Sequence, residues 1–238
     1  MGTNNNKILS EKEKEEAKQN SFILVGKTGS GKTTLLNALF NRIVGNAERT
    51  SESVTKKCSL YYYILKNKKI VCLIDTPGLS DTGLIENENK DKINLDEINE
   101  IIKDETIKII GILYLINFQN ERFDADEQKV LLSYNKLFSY KNFWKILVII
   151  YTHYYNAPFE DKNIEIIKND KNANNKELFD KMMEKSKEIS DIIPYDSLKK
   201  IYLNSFSEPK KHKQKKNNER ARKELEIIFN FFLFNIKK

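Results

Sequence analysis

Short apolar runs alternate with amphipathic stretches along most of the chain. Phe22–Val25 is four apolar residues in a row, which reads as a buried strand. From Lys32 to Phe40 apolar side chains recur at helical spacing, and this first helix is expected to run to about Arg42. Cys58–Leu65 and Lys69–Asp75 are apolar and β-branched or aromatic, and the polar turn Lys66-Asn67-Lys68 between them predicts an antiparallel hairpin. Leu95–Lys108 again shows helical spacing, Gly111–Asn117 reads as a buried strand, and Ala125–Phe138 sets Val130, Leu131, Tyr134, Leu137 and Phe138 on one side of a helix. Trp144–Tyr151 is the most apolar predicted strand; helical patterns follow at Lys162–Asn169 and Lys176–Ile193, before Pro194. Ile201–Asn204 is a short last strand, and a final helix runs from about Glu219 to Ile236. Ala47–Lys57, Leu79–Lys92 and Thr152–Lys162 read as loops. Ser10 either caps a short Glu/Lys helix or belongs to a loose polar tail. Strands alternating with helices predict an α/β fold with a mainly parallel, doubly wound sheet in three α/β/α layers.

At 238 residues the chain is long enough for one domain with appendages. We divide it into a polar extension (1–20), a principal domain (21–207), and a basic segment with an apolar helix (208–238). The net charge of +7 is local. Glu208–Lys223 holds eight Lys/Arg against two Glu, so it carries six of the seven net charges. That argues against a general polyanion-binding face and predicts no nucleic-acid partner. Two cysteines, Cys58 and Cys72, in or beside predicted strands do not make a disulfide framework. A polar start without an apolar core predicts no secretory signal, hence the cytosol or the cytosolic face of a membrane.

Chemistry enters at Gly26–Thr33, Gly-Lys-Thr-Gly-Ser-Gly-Lys-Thr. This is G-x-x-x-x-G-K-[ST] between a predicted strand and a predicted helix, the context in which a P-loop cradles phosphates. Gly26, Gly29 and Gly31 let the backbone curl so that the N–H groups of Lys27, Thr28, Ser30 and their neighbours through Thr34 converge on an anion at a helix N-terminus. Lys32 neutralises the β- and γ-phosphates, and the Thr33 hydroxyl is placed to ligate Mg²⁺. The sequence therefore predicts a P-loop nucleoside-triphosphatase fold whose hairpin supplies one antiparallel strand.

The second hairpin strand ends in Asp75-Thr76-Pro77-Gly78. A carboxylate leaving a buried strand here suits the second sphere of the magnesium ion, and the Gly78 N–H suits the γ-phosphate. A nucleotide switch also needs a threonine before that strand, reaching the metal and the γ-phosphate only in the triphosphate state. Thr55 is placed for this, with Thr50 as the alternative.

Three runs, Ser53–Cys58 (Ser-Val-Thr-Lys-Lys-Cys), Asp75–Leu79 (Asp-Thr-Pro-Gly-Leu) and Glu121–Gln128 (Glu-Arg-Phe-x-x-x-Glu-Gln), resemble the immunity-associated GTPases of the avirulence-induced-gene type. These are septin-related and kin to the chloroplast outer-envelope import GTPases. The resemblance spans roughly Phe22–Phe206. It implies a Ras-like GTPase domain with an extra C-terminal helix, bound GTP or GDP with Mg²⁺, a nucleotide-dependent homodimer across the nucleotide faces, and often a membrane-attached C-terminus. It also implies that Arg122 can reach the partner's nucleotide as an arginine finger; the plainer alternative is a surface arginine that fixes its loop.

Two positions depart from GTPase patterns. The strand expected to end in Thr/Asn-Lys-x-Asp ends in Thr152-His153-Tyr154-Tyr155, so a tyrosine stands where the guanine-binding carboxylate belongs. A lost charge-assisted hydrogen bond lowers base discrimination by about tenfold to a hundredfold. Thr152 and His153 are the base-side candidates, with Asn156 or Asp161 as a replacement acceptor, and Asn204 with Ser205 resembles the fifth GTPase motif. GTP is favoured by the resemblance and ATP is the alternative. The residue after Gly78 is Leu79, where Ras-like enzymes place the water-orienting glutamine, so slow hydrolysis is expected. A septin-like scaffold that binds GTP and scarcely hydrolyses it is the other reading of that gap.

Pro209–Lys216 is a lysine-rich run before the apolar end Leu225–Ile236. As a helix this end would rise about 18 Å, short of a bilayer core. Either Ile227, Phe231 and Phe234 pack onto the domain beneath a solvated lysine loop, or the aromatic end meets a membrane interface with the lysines on anionic lipid.

Overall fold

A computed structural model describes residues 8–44, 57–79, 85–119, 123–138, 143–153, 161–185, 195–203 and 212–235. In chain order the elements are α1 (Glu11–Lys18), β1 (Ser21–Gly26), α2 (Lys32–Phe40), β2 (Ser59–Ile64), β3 (Ile70–Asp75), α3 (Ile85–Lys103), β4 (Ile109–Asn117), α4 (Ala125–Phe138), α5 (Phe143–Ile146), β5 (Leu147–Thr152), α6 (Asp161–Lys185), β6 (Lys199–Tyr202) and α7 (His212–Asn235). The six strands form one sheet in the order β2-β3-β1-β4-β5-β6. All neighbours are parallel except the β2–β3 hairpin, as the pattern predicts.

Alternation along the central strands builds a core on each face. In β1, Ile23 and Val25 join a cluster with side chains of α3, α4, α5 and α6. Phe22 and Leu24 point the other way, into a cluster with α2 and α7. The phosphate loop leaves the central strand at its C-terminal edge, with helices on both sides of the sheet. The Ser10 alternative resolves to a helix: Ser10 and Glu13 form a capping box on α1, and Ala17 is buried.

Four expectations are corrected. α3 starts at Ile85, inside the predicted Leu79–Lys92 loop, because the polar first turns add no apolar stripe to reveal them. It stops at Lys103 rather than Lys108, where Asp104 accepts from the Thr106 N–H and hydroxyl and turns the chain. The strand predicted from Trp144 begins at Leu147; before it α5 wedges Trp144 edge-on against Phe143 and Phe179. The helices predicted at Lys162–Asn169 and from Lys176 are one helix, α6, through the polar middle, while 186–193 lie outside the described residues. That middle faces polar partners: Asn175 is buried and donates to the Tyr151 hydroxyl, and Asn172 accepts from Tyr202.

The fourth correction concerns α7. It begins at His212, so the predicted lysine loop is helical from that point. The helix packs on the domain, but not by the expected side chains. Leu225, Ile228, Phe229, Phe232 and Leu233 are buried, whereas Ile227, Phe231 and Phe234 are 62%, 46% and 74% exposed. Phe229 lies 4.6 Å from Phe22 between ring centroids, and Arg222 donates to the Ala38 carbonyl of α2. Among the described residues no helix is long and apolar enough to cross a membrane.

Candidate functional site

The buried strand β1 delivers the chain to Gly26, and α2 starts at Lys32. The turn between them needs backbone that L-residues rarely adopt: φ is 144° at Gly26, 76° at Gly29 and 92° at Gly31. At Gly26 the demand is also steric, since a Cβ there would sit 2.4 Å from the Leu115 carbonyl oxygen. Gly31 is the N-cap of α2, and no side chain caps the helix, so its first-turn N–H groups face the loop's concave side.

Lys32 is 6% exposed and donates to the carbonyls of Gly26 (3.2 Å) and Lys27 (3.0 Å). Burial pushes its ammonium down from 10.5 to about 8, opposed by the nearby carboxylates of Asp75 and Glu127. Thr33, in the first turn of α2, donates its hydroxyl to Asp75 Oδ2 at 2.8 Å. The two predicted motifs therefore meet, although 42 residues separate them. Thr34 follows on α2 and is half-buried.

The Asp75–Leu79 turn is stitched to the phosphate loop. Thr76 donates to the Leu24 carbonyl at 2.6 Å, and Asn94 of α3 donates to the Gly78 carbonyl at 2.9 Å. Leu79 N–H donates to the Gly26 carbonyl (3.3 Å), and the Leu79 carbonyl accepts from Thr28 N–H (2.8 Å). Only glycine fits at 78: a Cβ would stand 2.7 Å from the Thr28 N and Cα. The Leu79 side chain is 2% exposed and lies in the core with Ile23, Val25 and Ile74.

Three oxygens here are buried and make no hydrogen bond among the described residues: Thr28 Oγ1, Ser30 Oγ and Asp75 Oδ1. Buried oxygens in that condition are expensive unless a ligand serves them. A hydroxyl and a carboxylate are hard oxygen donors, which suits magnesium. No group of three or more His, Cys, Asp or Glu gathers among the described residues, so Thr33 and Asp75 would hold such an ion together with phosphate oxygens and water.

At the end of β5, Thr152 and His153 close the other side of the loop. The Thr152 hydroxyl is buried among the Ser30 carbonyl (2.8 Å), the Ile116 carbonyl (3.2 Å) and His153 Nδ1 (3.0 Å). Thr152 thus also clamps the phosphate loop through the Ser30 carbonyl. His153 takes a left-handed turn at φ 58°, and its Cε1 lies 3.4 Å from where a Cβ on Gly31 would stand. Thr55, Arg122, Tyr155, Asn156, Asn204, Ser205 and the side chain of Asp161 lie outside the described residues.

Sequence reasoning missed the supports. Tyr134 of α4 places its hydroxyl 3.4 Å from the Gly26 nitrogen. Tyr114 donates to the buried Glu127 carboxylate at 2.6 Å. Asn175 holds the Phe123 N–H at 3.1 Å, directly after Arg122. Glu127 and Phe123 belong to the Glu121–Gln128 run and were readable as a motif; Asn94, Tyr134 and Asn175 carry no local signal.

Among curated proteins, the chain is 27% identical over 135 residues to immune-associated nucleotide-binding protein 7 of Arabidopsis thaliana, covering 56% of this chain and 40% of that protein. It is 36% identical over 64 residues to immune-associated nucleotide-binding protein 3 of the same plant, covering 27% of this chain and 19% of that protein. The chain therefore spans less than half the length of these relatives. Among solved structures, Toc33 from Arabidopsis thaliana in complex with GDP and Mg²⁺ superposes with a TM-score of 0.67 at 15% identity, covering 89% of this chain and 83% of that one. Era of Aquifex aeolicus bound to GDP·AlF4⁻ superposes at 0.52 with 16% identity, covering 87% and 55%. At such identities the likeness is one of fold, that of P-loop GTPases. The AIG1 family pattern matches residues 20–219, from the residue before β1 through the phosphate loop and its Asp75 partner into α7, and the chain belongs to the AIG1 family.

Proposed function

We propose that the chain is a GTP-binding switch with slow intrinsic hydrolysis, which dimerises through its nucleotide face at the cytosolic surface of a membrane. One observation carries the reading: Thr33 reaches Asp75 at 2.8 Å beside a buried Lys32, so hydroxyl, carboxylate and ammonium converge on one phosphate loop. Lys32 would neutralise the β- and γ-phosphates, and the first-turn N–H groups of α2 would cradle them. Magnesium, held by Thr33 and Asp75 with Thr55 added in the triphosphate state, would neutralise developing charge on the phosphates. Thr152, His153, Asn204 and Ser205 line the base side in this reading, with guanine as the base.

Slow hydrolysis follows from Leu79, whose side chain is in the core and has no group to orient water. A second copy would supply the missing cation through Arg122, adding about 10³–10⁵ in rate. Support for dimerisation comes from Toc33 and Toc159, for which dimerisation is reported as important for GTPase activity. Here Asn175 and Phe179 anchor Phe123, which follows Arg122 in the sequence.

The test is nucleotide identification after native purification, competition of GTP and ATP for a fluorescent GDP analogue, and sizing with GDP and a non-hydrolysable GTP analogue. Expected are bound guanine nucleotide, a dimer with the analogue, and turnover per molecule that rises with protein concentration and is lost in Arg122→Ala. ATP competing as well as GTP overturns the base assignment. Polymers without phosphate release overturn the switch in favour of a scaffold. Turnover unchanged in Arg122→Ala removes the finger.

A further inference from the structure

α7 places a continuous outward stripe on the domain: Lys213, Lys216, Arg220, Lys223, Ile227, Phe231 and Phe234, spaced three and four apart and all exposed. Its first half is cationic and its second half apolar, over a rise of about 31 Å. Among the described residues no ion pair engages Lys213, Lys216 or Lys223. The four cations outnumber the two carboxylates beside them on the helix, Glu219 and Glu224. Lys199, at the edge of the sheet, stands over the Phe231 ring at 3.2 Å and carries positive charge into the apolar half.

We propose that this stripe is the surface by which the domain lies on anionic lipid. The proposal rests on the membrane reading above and names the face that performs it. Charge decides the occupant. A parallel second copy of α7 would set lysine against lysine, and an antiparallel one would set lysine against Phe231 and Phe234. A negatively charged bilayer surface accepts both halves: headgroups meet the cations, and Ile227, Phe231 and Phe234 enter the boundary with the acyl chains. The placement also leaves the nucleotide edge open. Asn230 bonds Asn67 at 2.7 Å and Glu226 pairs with Lys66, both in the β2–β3 turn. That turn lies at the edge of the sheet opposite the phosphate loop, since β3 runs parallel to β1 and begins there.

The experiment floats the full chain with vesicles of phosphatidylcholine alone and of phosphatidylcholine mixed with phosphatidylserine, in GDP, at low and high salt. Polyglutamate of matched charge serves as the competing acidic polypeptide. Binding is expected only with phosphatidylserine and is weakened by salt. Each surface cation contributes about fivefold to partitioning, so Lys213→Gln/Lys216→Gln/Lys223→Gln should lose about a hundredfold. Ile227→Ser/Phe231→Ser/Phe234→Ser should also detach the protein, and both variants should keep GDP binding and the unfolding midpoint. Flotation retained by both variants overturns the assignment to α7 while membrane attachment stands. No flotation of the unaltered chain overturns both. Capture by polyglutamate without vesicle binding overturns the lipid in favour of an acidic protein.

Discussion

Replacing Leu79 with glutamine restores, on paper, the residue that orients water in Ras-like enzymes, and a sequence argument expects faster hydrolysis. The structure predicts the opposite. Leu79 is 2% exposed among Ile23, Val25, Ile74 and Ile98, and its backbone is bonded to Gly26 and Thr28. Losing a buried leucine side chain costs about 2 kcal/mol. An amide left without partners in the same cavity costs a further 1–3 kcal/mol or so. Leu79→Gln should therefore destabilise the GDP-bound protein by about 3–5 kcal/mol, lowering the unfolding midpoint by roughly 10 °C in a chain this long. Single-turnover phosphate release should stay at the unaltered rate or fall. Thermal unfolding and a stopped assay on the same sample decide the matter. A variant that unfolds within two or so degrees of the original and hydrolyses at least about tenfold faster would refute the reasoning, because the side chain would then leave the core when triphosphate binds.

In the nucleotide-free protein Lys32 sits near 8 while the unfolded chain keeps it near 10.5, so between those values the unfolded state binds more protons and stability rises with pH. Lys32→Met should remove an increment of up to about 3 kcal/mol between pH 8 and 10.5, read as the difference between the two proteins in denaturant titrations at both ends; equal slopes would show the ammonium to be solvated. Phe229→Ala, which empties the contact with Phe22 and Tyr63, should cost about 3–5 kcal/mol, whereas Phe231→Ala on the outward stripe should cost under about 1 kcal/mol. Comparable losses would mean that α7 is rotated. Asp75→Asn removes the carboxylate that holds Thr33, and the gain in GDP affinity from magnesium over a chelator, about tenfold to a hundredfold in the unaltered protein, should vanish; a gain that persists would take Asp75 out of the metal site.

The parts of the fold that were legible are those whose burial is written locally. β1 and β3 announce themselves as short continuous apolar runs, β2 by its hairpin turn onto β3, and α4 by burying Val130, Leu131, Tyr134 and Phe138 at helical spacing. The illegible parts bury polar groups or place apolar ones outside. The middle of α6 reads as a break because Asn172 and Asn175 are satisfied by Tyr202 and Tyr151, partners that exist only once the sheet has formed. The first turns of α3 carry no apolar stripe. In α7 every third or fourth residue from Leu225 onward is apolar on more than one face, so the period reveals a helix but not which side is in. Ile227, Phe231 and Phe234 follow helical spacing as well as Leu225, Phe229 and Phe232 do.

The site divides along the same line. A phosphate cradle is made by backbone, so its requirement is for residues that permit a conformation; Gly26, Gly31 and the following lysine state it within eight positions. Positioning the cradle is the work of side chains from distant elements, and no spacing rule links Thr152 or Tyr134 to the loop they hold, or Asn94 to the Gly78 turn stitched to it. Leu79 joins the two cases. By position it reads as a defective catalytic residue, yet in space it is a core residue whose backbone closes the loop. Its apolar side chain therefore follows from burial first, and the slow hydrolysis proposed above would be the consequence. In the proposed switch such a chain would hydrolyse fast only when a cation arrives from outside the fold, and its rate would report assembly rather than a property of the isolated domain.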